Sequence, residues 1–239
     1  MSQKSDSQEN APAVHFDHIA FFGRRLKEYE CFFNFSTSDY SNKQILDVAA
    51  GTSSFASEAS IFGAKVTAID PCYALDPTAA HTRAKEDFDM VMASIRGKQD
   101  YLVKTTFKSL EELAEMRWGA TEKFLVDYKA QYQSGRYLAE TLPKLSFEDN
   151  TFDLALCGHF LFLFSDRLDY AFHRDSLIEL CRVARDVRLY PLVGTDTKEY
   201  PQLKELRSEL LDQGIESRMI DVDYAVIQGS GTLLQLTHK

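Results

Sequence analysis

The stretch from Gln44 to Asp70 reads QILDVAAGTSSFASEASIFGAKVTAID, and its hydrophobic pattern predicts a strand, a tight turn, a helix and a second strand. The turn lies at residues 49–53, whose small side chains allow a ligand to approach the backbone. Gly63 ends the helix, and residues 65–69 form the second strand. Asp70 closes that strand. An acid at this point, about twenty residues beyond the turn, is what a nucleoside-binding βαβ unit uses to hold two ribose hydroxyls.

Residues 46–53, LDVAAGTS, resemble the first motif of the class I S-adenosylmethionine-dependent methyltransferases (methyltransferase type 11-like), usually LDxGCGTG. Ala49 and Ser53 replace glycines of that motif, and an alanine suits the turn if its φ is negative. The resemblance implies a set of cofactor-binding residues in this region: Asp47, Ala49, Ala50, Gly51, Thr52, Ser53, Asp70, Pro71 and Cys72. In this interpretation Asp70 holds the ribose, and residues 71–73 form a wall beneath the adenine ring.

Residues 136–166 form a second block of resemblance, RYLAETLPKLSFEDNTFDLALCGHFLFLFSD, similar to the family's passage gDAExLPfpdnsFDlvxsxxxLhhl. Leu138 stands where the family has an adenine-binding Asp, so the resemblance leaves the N–H of Ala139 as the donor to the ring. Cys157 and His159 follow at the end of the fourth predicted strand, at the edge where parallel sheets bind ligands. The resemblance implies a backbone contact between Cys157 and the methionine amine. His159 is our candidate general base, and a packing role beside the following aromatic residues is the alternative.

The rest of the pattern predicts how the domain is completed. Residues 15–35 carry apolar side chains at helical spacing, which predicts a helix before the first strand, and the resemblance suggests that Arg25 or Tyr29 lines the site. Residues 78–133 exceed a simple crossover and predict an inserted helical cap over the acceptor pocket. The predicted fold is one α/β domain, residues 1–239, with a doubly wound, Rossmann-like, seven-stranded and mostly parallel sheet. We expect residues 1–13 to be a disordered tail.

Composition and charge restrict the class of partner. The 239 residues carry a net charge of -9 at pH 7 without a basic stripe, which argues against a nucleic-acid partner. Widely spaced cysteines suit reduced thiols in a cytoplasmic protein better than a disulfide or zinc framework, so we predict no metal site. No membrane partner is expected either, because no apolar run is long enough to span a bilayer. We expect a monomer or a homodimer.

These features predict S-adenosylmethionine-dependent methyl transfer to a small-molecule acceptor. Alignment of acceptor and methyl group supplies most of the rate in such a reaction, so few catalytic side chains are needed. One alternative is a catalytically silent protein of the same fold that binds S-adenosylmethionine or S-adenosylhomocysteine, which Ala49, Ser53 and Leu138 favour. A further alternative is a nicotinamide-dependent oxidoreductase, although the spacing of the small residues does not fit the GxGxxG pattern.

Overall fold

The computed structural model describes residues 14–98, 101–103 and 107–238. The expected disordered tail, residues 1–13, lies outside the described residues. The strands are β1 Gln44–Val48, β2 Lys65–Ile69, β3 Tyr137–Leu138, β4 Phe152–Gly158, β5 Ala184–Tyr190, β6 Ile215–Asp221 and β7 Thr232–His238. The helices are α1 Leu26–Phe32, α2 Thr37–Tyr40, α3 Phe55–Ser60, α4 Pro77–Ile95, α5 Leu110–Ala130, α6 Tyr170–Val183 and α7 Leu203–Asp212. A turn of 3₁₀ helix, Pro71–Ala74, follows β2.

The strands form one seven-stranded sheet in the order β3-β2-β1-β4-β5-β7-β6. Strands β1 to β5 pair in parallel, whereas β7 runs antiparallel to both β5 and β6. The strand order reverses beside β1, because the chain adds β2 and β3 on one side and β4 on the other. Ligands of open parallel sheets bind at such a switch point, beyond the carboxyl ends of the strands. The predicted doubly wound, mostly parallel fold is therefore confirmed.

Alternate residues of the central strands pack on opposite faces of the sheet. Ile45 and Leu154 belong to the apolar cluster that faces α1, α3, α4 and α5, whereas Leu46 and Ala155 belong to the cluster that faces α6 and α7. This alternation follows from the two-residue period of a strand. The central strands are buried on both faces, so they hold the carboxyl-terminal edge of the sheet rigidly.

Residues 14–25 form an extended segment, which we call the strap, and the helix predicted over residues 15–35 is confined to α1. The strap lies across the loop after β1: a Cβ on Gly23 would lie 2.1 Å from the carbonyl carbon of Thr52. Asp87 of α4 holds it further, because its carboxylate accepts from the N–H of Phe21 at 2.6 Å and bonds the His18 ring at 2.7 Å. These tertiary contacts stabilise an extended backbone that local helical spacing does not reveal.

Helices α4 and α5 make up most of residues 78–133, the segment expected to form a helical cap. The Ser109 hydroxyl caps α5 by accepting from the N–H of Glu112 at 3.2 Å. Leu113, Ala120, Phe124 and Tyr128 are buried on α5, and Arg117 and Thr121 are buried on the same helix. This helix therefore carries polar side chains into the interior, a feature that bears on the site.

Candidate functional site

The loop between β1 and α3, residues 49–54, has a left-handed backbone at two positions. Gly51 has φ +57°, a conformation that glycine adopts without steric cost, but Ala49 also has a positive φ of +50°. The condition under which an alanine would suit this turn, a negative φ, is therefore not met. The left-handed conformation costs an L-residue with a Cβ about 1–2 kcal/mol. The loop therefore contains a strained residue beside the edge of the sheet.

The strap covers the outer side of this loop. A Cβ on Gly51 would lie 2.4 Å from the carbonyl oxygen of Phe22, so a side chain at position 51 is excluded by the chain itself. The hydroxyl of Ser53 donates to the carbonyl of Arg24 at 2.9 Å, and the N–H of Ser54 donates to the same oxygen at 3.1 Å. The small residues of the loop thus admit the strap and hold the backbone of Arg24 in place.

Asp70 lies at the carboxyl end of β2, with its side chain buried behind the loop. One carboxylate oxygen accepts from the N–H of Gly51 at 3.1 Å, and the other accepts from the N–H of Cys72 at 2.9 Å. Burial raises the pKa of Asp70, and the two backbone N–H groups oppose that rise. Two donors leave lone pairs free on both oxygens, so the carboxylate retains the capacity to accept from a ligand.

Two cavities adjoin at Asp70 and Ala49, which line both of them. We call the larger one, about 260 Å³, the outer cavity. Its other walls come from the turn after β2, the segment after β3, the loop after β4 and the start of α6. These walls include Pro71, Cys72, Glu140, Thr141, Leu142, Phe160, Leu168 and Phe172. Most of this surface is apolar, with Asp70 and Glu140 as its acids, a composition that suits a flat base attached to a hydroxylated sugar.

The second cavity, about 100 Å³ and here called the inner cavity, lies between the end of β4, the strap and the two long helices. Its polar lining consists of Arg24, Asp70, Tyr101, Arg117 and His159. Apolar side chains surround these groups, among them Phe16, Val91, Ile95, Leu163 and Val226. An apolar cavity with few convergent polar groups is typical of a small-molecule site.

Arg117 and Glu28 form a buried ion pair beside the inner cavity, with side chains only 3% and 4% exposed. The hydroxyl of Tyr224 donates to the same Glu28 oxygen at 2.7 Å. Burial alone would raise the pKa of Glu28, but the charge and hydrogen bond of Arg117 lower it to about 2. Burial and the repulsion of Arg117 lower the pKa of Arg24 to about 10, so both arginines remain charged at neutral pH.

His159 follows β4 directly and has a left-handed backbone, with φ +57°. The backbone N–H of His159 donates to the backbone carbonyl of Tyr190 at 2.5 Å. The His159 ring packs edge-on against the rings of Phe32 and Tyr190, and its centroid lies 5.1 Å from the centroid of each. Burial, and then repulsion by Arg24 and Arg117, lower its pKa well below 6.5. The imidazole is therefore neutral at physiological pH, and its Nδ1 atom is buried and has no hydrogen-bond partner among the described residues.

The remaining predicted site residues lie behind the cavity walls. Asp47 and Cys157 are buried within strands, where Asp47 accepts from the hydroxyl of Tyr29 at 3.1 Å. Ala50, Gly51, Thr52 and Ser53 support the loop or contact the strap, without lining either cavity. Leu138 and Ala139 also lie outside both linings, and the outer cavity meets the chain just beyond them at residues 140–142.

Sequence reasoning missed the arginines of the inner cavity. It selected Arg25, whereas the structure brings Arg24 into the lining. Arg117 sits four residues after Leu113 on the buried face of α5, and a cation at a core position of an amphipathic helix was the available signal. Tyr101 belongs to the connection between α4 and α5 and had no such signal.

The described residues contain neither a metal-binding cluster nor a membrane-spanning helix. In residues 14–98, 101–103 and 107–238, no group of three or more His, Cys, Asp or Glu side chains is arranged to hold a metal ion. None of the helices in this part of the chain combines the length and the apolarity needed to cross a bilayer.

Several solved methyltransferase structures are similar to this chain at low sequence identity. A TehB-like SAM-dependent methyltransferase from Corynebacterium glutamicum is 15% identical, with a TM-score of 0.45 over 83% of this chain and 81% of that one. The magnesium protoporphyrin IX methyltransferase of Synechocystis PCC 6803, crystallised with bound SAM, is 13% identical, with a TM-score of 0.41 over 82% of this chain and 69% of that one. A putative RNA methyltransferase, PH1948 from Pyrococcus horikoshii, is 13% identical, with a TM-score of 0.42 over 89% and 84%.

The sequence comparison gives a relative at higher identity. No protein-family model matches the chain. The uncharacterized protein MJ0045 of Methanocaldococcus jannaschii is 32% identical over 213 residues, which cover 89% of this chain and 93% of that protein. Because the similarity extends over nearly the whole of both chains, this protein belongs to the same family as MJ0045.

Proposed function

We propose that the two cavities together bind S-adenosylmethionine and that the protein transfers the methyl group to a small-molecule acceptor. The observation that carries the proposal is the position of Asp70. Its buried carboxylate lies at the carboxyl end of β2, beside the switch point of the sheet, and lines both cavities. An acid at this point of a doubly wound sheet is suited to accept hydrogen bonds from a ribose.

The lining of the outer cavity fits the nucleoside part of the ligand. Each Asp70 oxygen accepts one backbone N–H, so each has a lone pair left for a ribose hydroxyl. Pro71 and Phe160 supply apolar surface for the flat base, and Glu140 supplies an acceptor. Neither cavity alone reaches the ~300–1,000 Å³ of typical small-molecule sites, but they adjoin at Asp70 and Ala49.

The inner cavity is suited to hold the reacting groups. S-adenosylmethionine would supply an electrophilic methyl group on a sulfonium, which is transferred by in-line displacement. The protein's part is to align the acceptor and exclude water, which the apolar lining and the strap favour. The acceptor atom must lose a proton, and the neutral imidazole of His159 is available to take it. Since Arg24 and Arg117 disfavour imidazolium, we expect His159 to contribute more by positioning than by holding that proton.

A silent cofactor-binding protein is the second candidate, and one observation favours it. Ala49 lines both cavities, at a position where the family that the sequence resembles has glycine. An alanine there leaves less room than glycine between a bound nucleoside and the inner cavity. A nicotinamide-dependent oxidoreductase has less support, because the strap occupies the loop backbone on which a pyrophosphate would need to rest.

Calorimetry with S-adenosylmethionine, S-adenosylhomocysteine and NAD⁺ tests the proposal. We expect binding of the first two, and Asp70→Asn should weaken it by about 1.5–3 kcal/mol because a charged acceptor is lost. Asp76→Asn is the matched control, because Asp76 is an exposed cap of α4 and asparagine caps equally well. Tight NAD⁺ binding, or an Asp70→Asn variant that binds like the wild type, would contradict the proposal.

Turnover separates an enzyme from a silent binding protein. Incubation with methyl-labelled S-adenosylmethionine and a pool of small metabolites should transfer label to a small molecule that chromatography separates from the unreacted cofactor. Binding without any transfer across chemically diverse pools would favour the silent protein.

A further inference from the structure

We propose that the inner cavity binds a carboxylate group between the guanidinium groups of Arg24 and Arg117, carried by a compact apolar methyl acceptor. The assignment to an acceptor rests on the proposed function, whereas the carboxylate site rests on the cavity alone.

Buried polar atoms without partners surround this cavity. The Nη2 of Arg117, the Nε of Arg24, the hydroxyl of Tyr101 and the Nδ1 of His159 are all buried and have no hydrogen-bond partner within the described part of the chain. Arg117 and Tyr101 are each only 2% exposed, and His159 is 7% exposed. Leaving a buried donor unpaired costs about 1–3 kcal/mol, and more for a charged group. Such donors around one cavity indicate a ligand that accepts hydrogen bonds.

The charge balance of the cavity indicates that this ligand is an anion. Glu28 neutralises Arg117 through their ion pair, but among the described residues no ion pair forms with Arg24. Each arginine raises the cost of the other's charge, because the two guanidinium groups repel. A carboxylate between them would remove the repulsion and accept from both, in the planar geometry that guanidinium groups favour.

The size and lining of the cavity limit the remainder of the ligand. Its volume is about 100 Å³, and a cavity of about 150 Å³ is known to hold benzene. Val91, Ile95, Leu163 and Val226 offer apolar surface around the polar groups. Because this volume is smaller than that of a cavity that holds benzene, the ligand class is a short aliphatic acid rather than an aromatic acid, a sugar acid or a phosphorylated metabolite.

A carboxylate could also come from the methionine end of the cofactor. That end carries an α-ammonium as well, and two guanidinium groups repel a third cation. Glu28 is already engaged by Arg117 and Tyr224, which leaves Asp70 as the acid in the lining. This argues for an acid without an amine, and the experiment below distinguishes the two sources.

The probes are isobutyrate and its neutral isostere isobutyramide, titrated into the full chain by calorimetry. We expect isobutyrate to bind at least about tenfold more tightly than isobutyramide, the usual advantage of a charge-assisted hydrogen bond. Arg24→Met should reduce isobutyrate binding by at least about tenfold and leave isobutyramide unaffected. Lys27→Met is the control, because it removes one positive charge from an exposed side chain nearby. If Arg24→Met does not fold, Arg24→Lys keeps the charge, loses the planar fork and should weaken isobutyrate binding.

The source of the carboxylate is tested with two nucleosides. S-adenosylhomocysteine has a carboxylate, and 5′-methylthioadenosine lacks it. We expect isobutyrate to bind in the presence of either one. If isobutyrate competes with S-adenosylhomocysteine but not with 5′-methylthioadenosine, the site belongs to the cofactor and the acceptor assignment is overturned.

The remaining outcomes are equally decisive. Equal binding of isobutyrate and isobutyramide, or no binding of either, overturns the carboxylate site. Isobutyrate binding that depends on Arg24 in a chain that binds neither nucleoside supports the carboxylate site and contradicts the proposed function.

Discussion

Ala49 is the residue at which the loop departs most clearly from its local preference. Its φ of +50° is the conformation that glycine adopts without cost, yet the residue carries a Cβ that faces both cavities. Strain of this kind persists only where the surrounding structure imposes it. Here the carboxyl end of β1 and the strap fix the two ends of the turn, so Ala49 is held in the left-handed conformation.

Replacing Ala49 with glycine should relieve this strain. We expect Ala49→Gly to raise the free energy of unfolding by about 1 kcal/mol, measured by urea denaturation. Ala50→Gly is the matched control, because Ala50 does not have a positive φ, and there glycine should cost about 0.5–1 kcal/mol. A variant at position 49 that is as destabilised as the control would show that the alanine is not strained.

Asp47 should give the protein an unusual dependence of stability on pH. Burial raises the pKa of Asp47 from 3.8 to about 8, and the hydroxyl of Tyr29 only partly opposes this. Between these values the folded state holds a proton that the unfolded chain has lost, so stability falls as pH rises through the window. The slope from this group is at most about 1.4 kcal/mol per pH unit.

The measurement is urea denaturation of the wild type and Asp47→Asn at several values of pH from 5 to 8. Asparagine keeps an acceptor for Tyr29 but does not titrate, so the variant should gain stability relative to the wild type as pH rises. A constant difference between the two proteins across this range would mean that Asp47 titrates normally.

The strap is the element on which both cavities depend, because Ile19 and Ala20 line each of them. It has few backbone bonds of its own, so its position relies on anchors from other elements. Asp87 is the main anchor on α4. Its carboxylate, which is almost fully buried, accepts from the N–H of Phe21, hydrogen-bonds the His18 ring and forms an ion pair with Arg83. Loss of this carboxylate leaves a buried N–H unpaired.

Asp87→Ala should therefore destabilise the protein by about 2–3 kcal/mol and speed amide exchange in residues 16–24. Asp89→Ala is the control on the same helix, because Asp89 pairs with Lys85 at the surface, with both side chains more than half exposed. Its effect should stay within about 0.5 kcal/mol. Equal protection of the strap in both variants would show that Asp87 does not hold it.

Taken as a whole, the molecule packs α5 into the main core instead of carrying it as a detachable cap. The ring centroid of Phe124 lies 5.8 Å from that of Tyr73 and 5.5 Å from that of Tyr137. Phe124 therefore packs α5 against both the turn after β2 and the strand β3. The Thr121 hydroxyl bonds that of Thr52 at 2.9 Å. We therefore propose that the described chain unfolds as one domain, with residues 78–133 as part of it.

Substitutions along α5 test this unity. Phe124→Ala removes a fully buried ring and should cost about 3–5 kcal/mol, with fluorescence and circular dichroism reporting one coincident transition. Val126→Ala, at a site 74% exposed on the same helix, should change stability by less than about 0.5 kcal/mol. A separate early transition confined to the helices would instead support an independent cap.

The sequence alone determined the architecture of this protein, because its strands can be recognised from patterns of apolar and polar residues over a few neighbouring positions. The β1–loop–α3–β2 unit, the acid at Asp70 and the later strands follow from runs of apolar residues, turn residues and helix caps, all within a few positions of one another. Together with the resemblance to known motifs, these patterns predicted a doubly wound and mostly parallel sheet.

Only the tertiary structure decided what surrounds the loop and what lines the inner cavity. Helical spacing predicted a helix where the strap is extended, because the contacts of Gly23 with Thr52 and of Phe21 with Asp87 join residues distant in sequence. The same distance hides Arg24 and Arg117, which come from the strap and α5 and meet only when both elements pack on the sheet. Local pattern reports which residues avoid water, whereas the charges that converge on a cavity depend on how the elements are assembled.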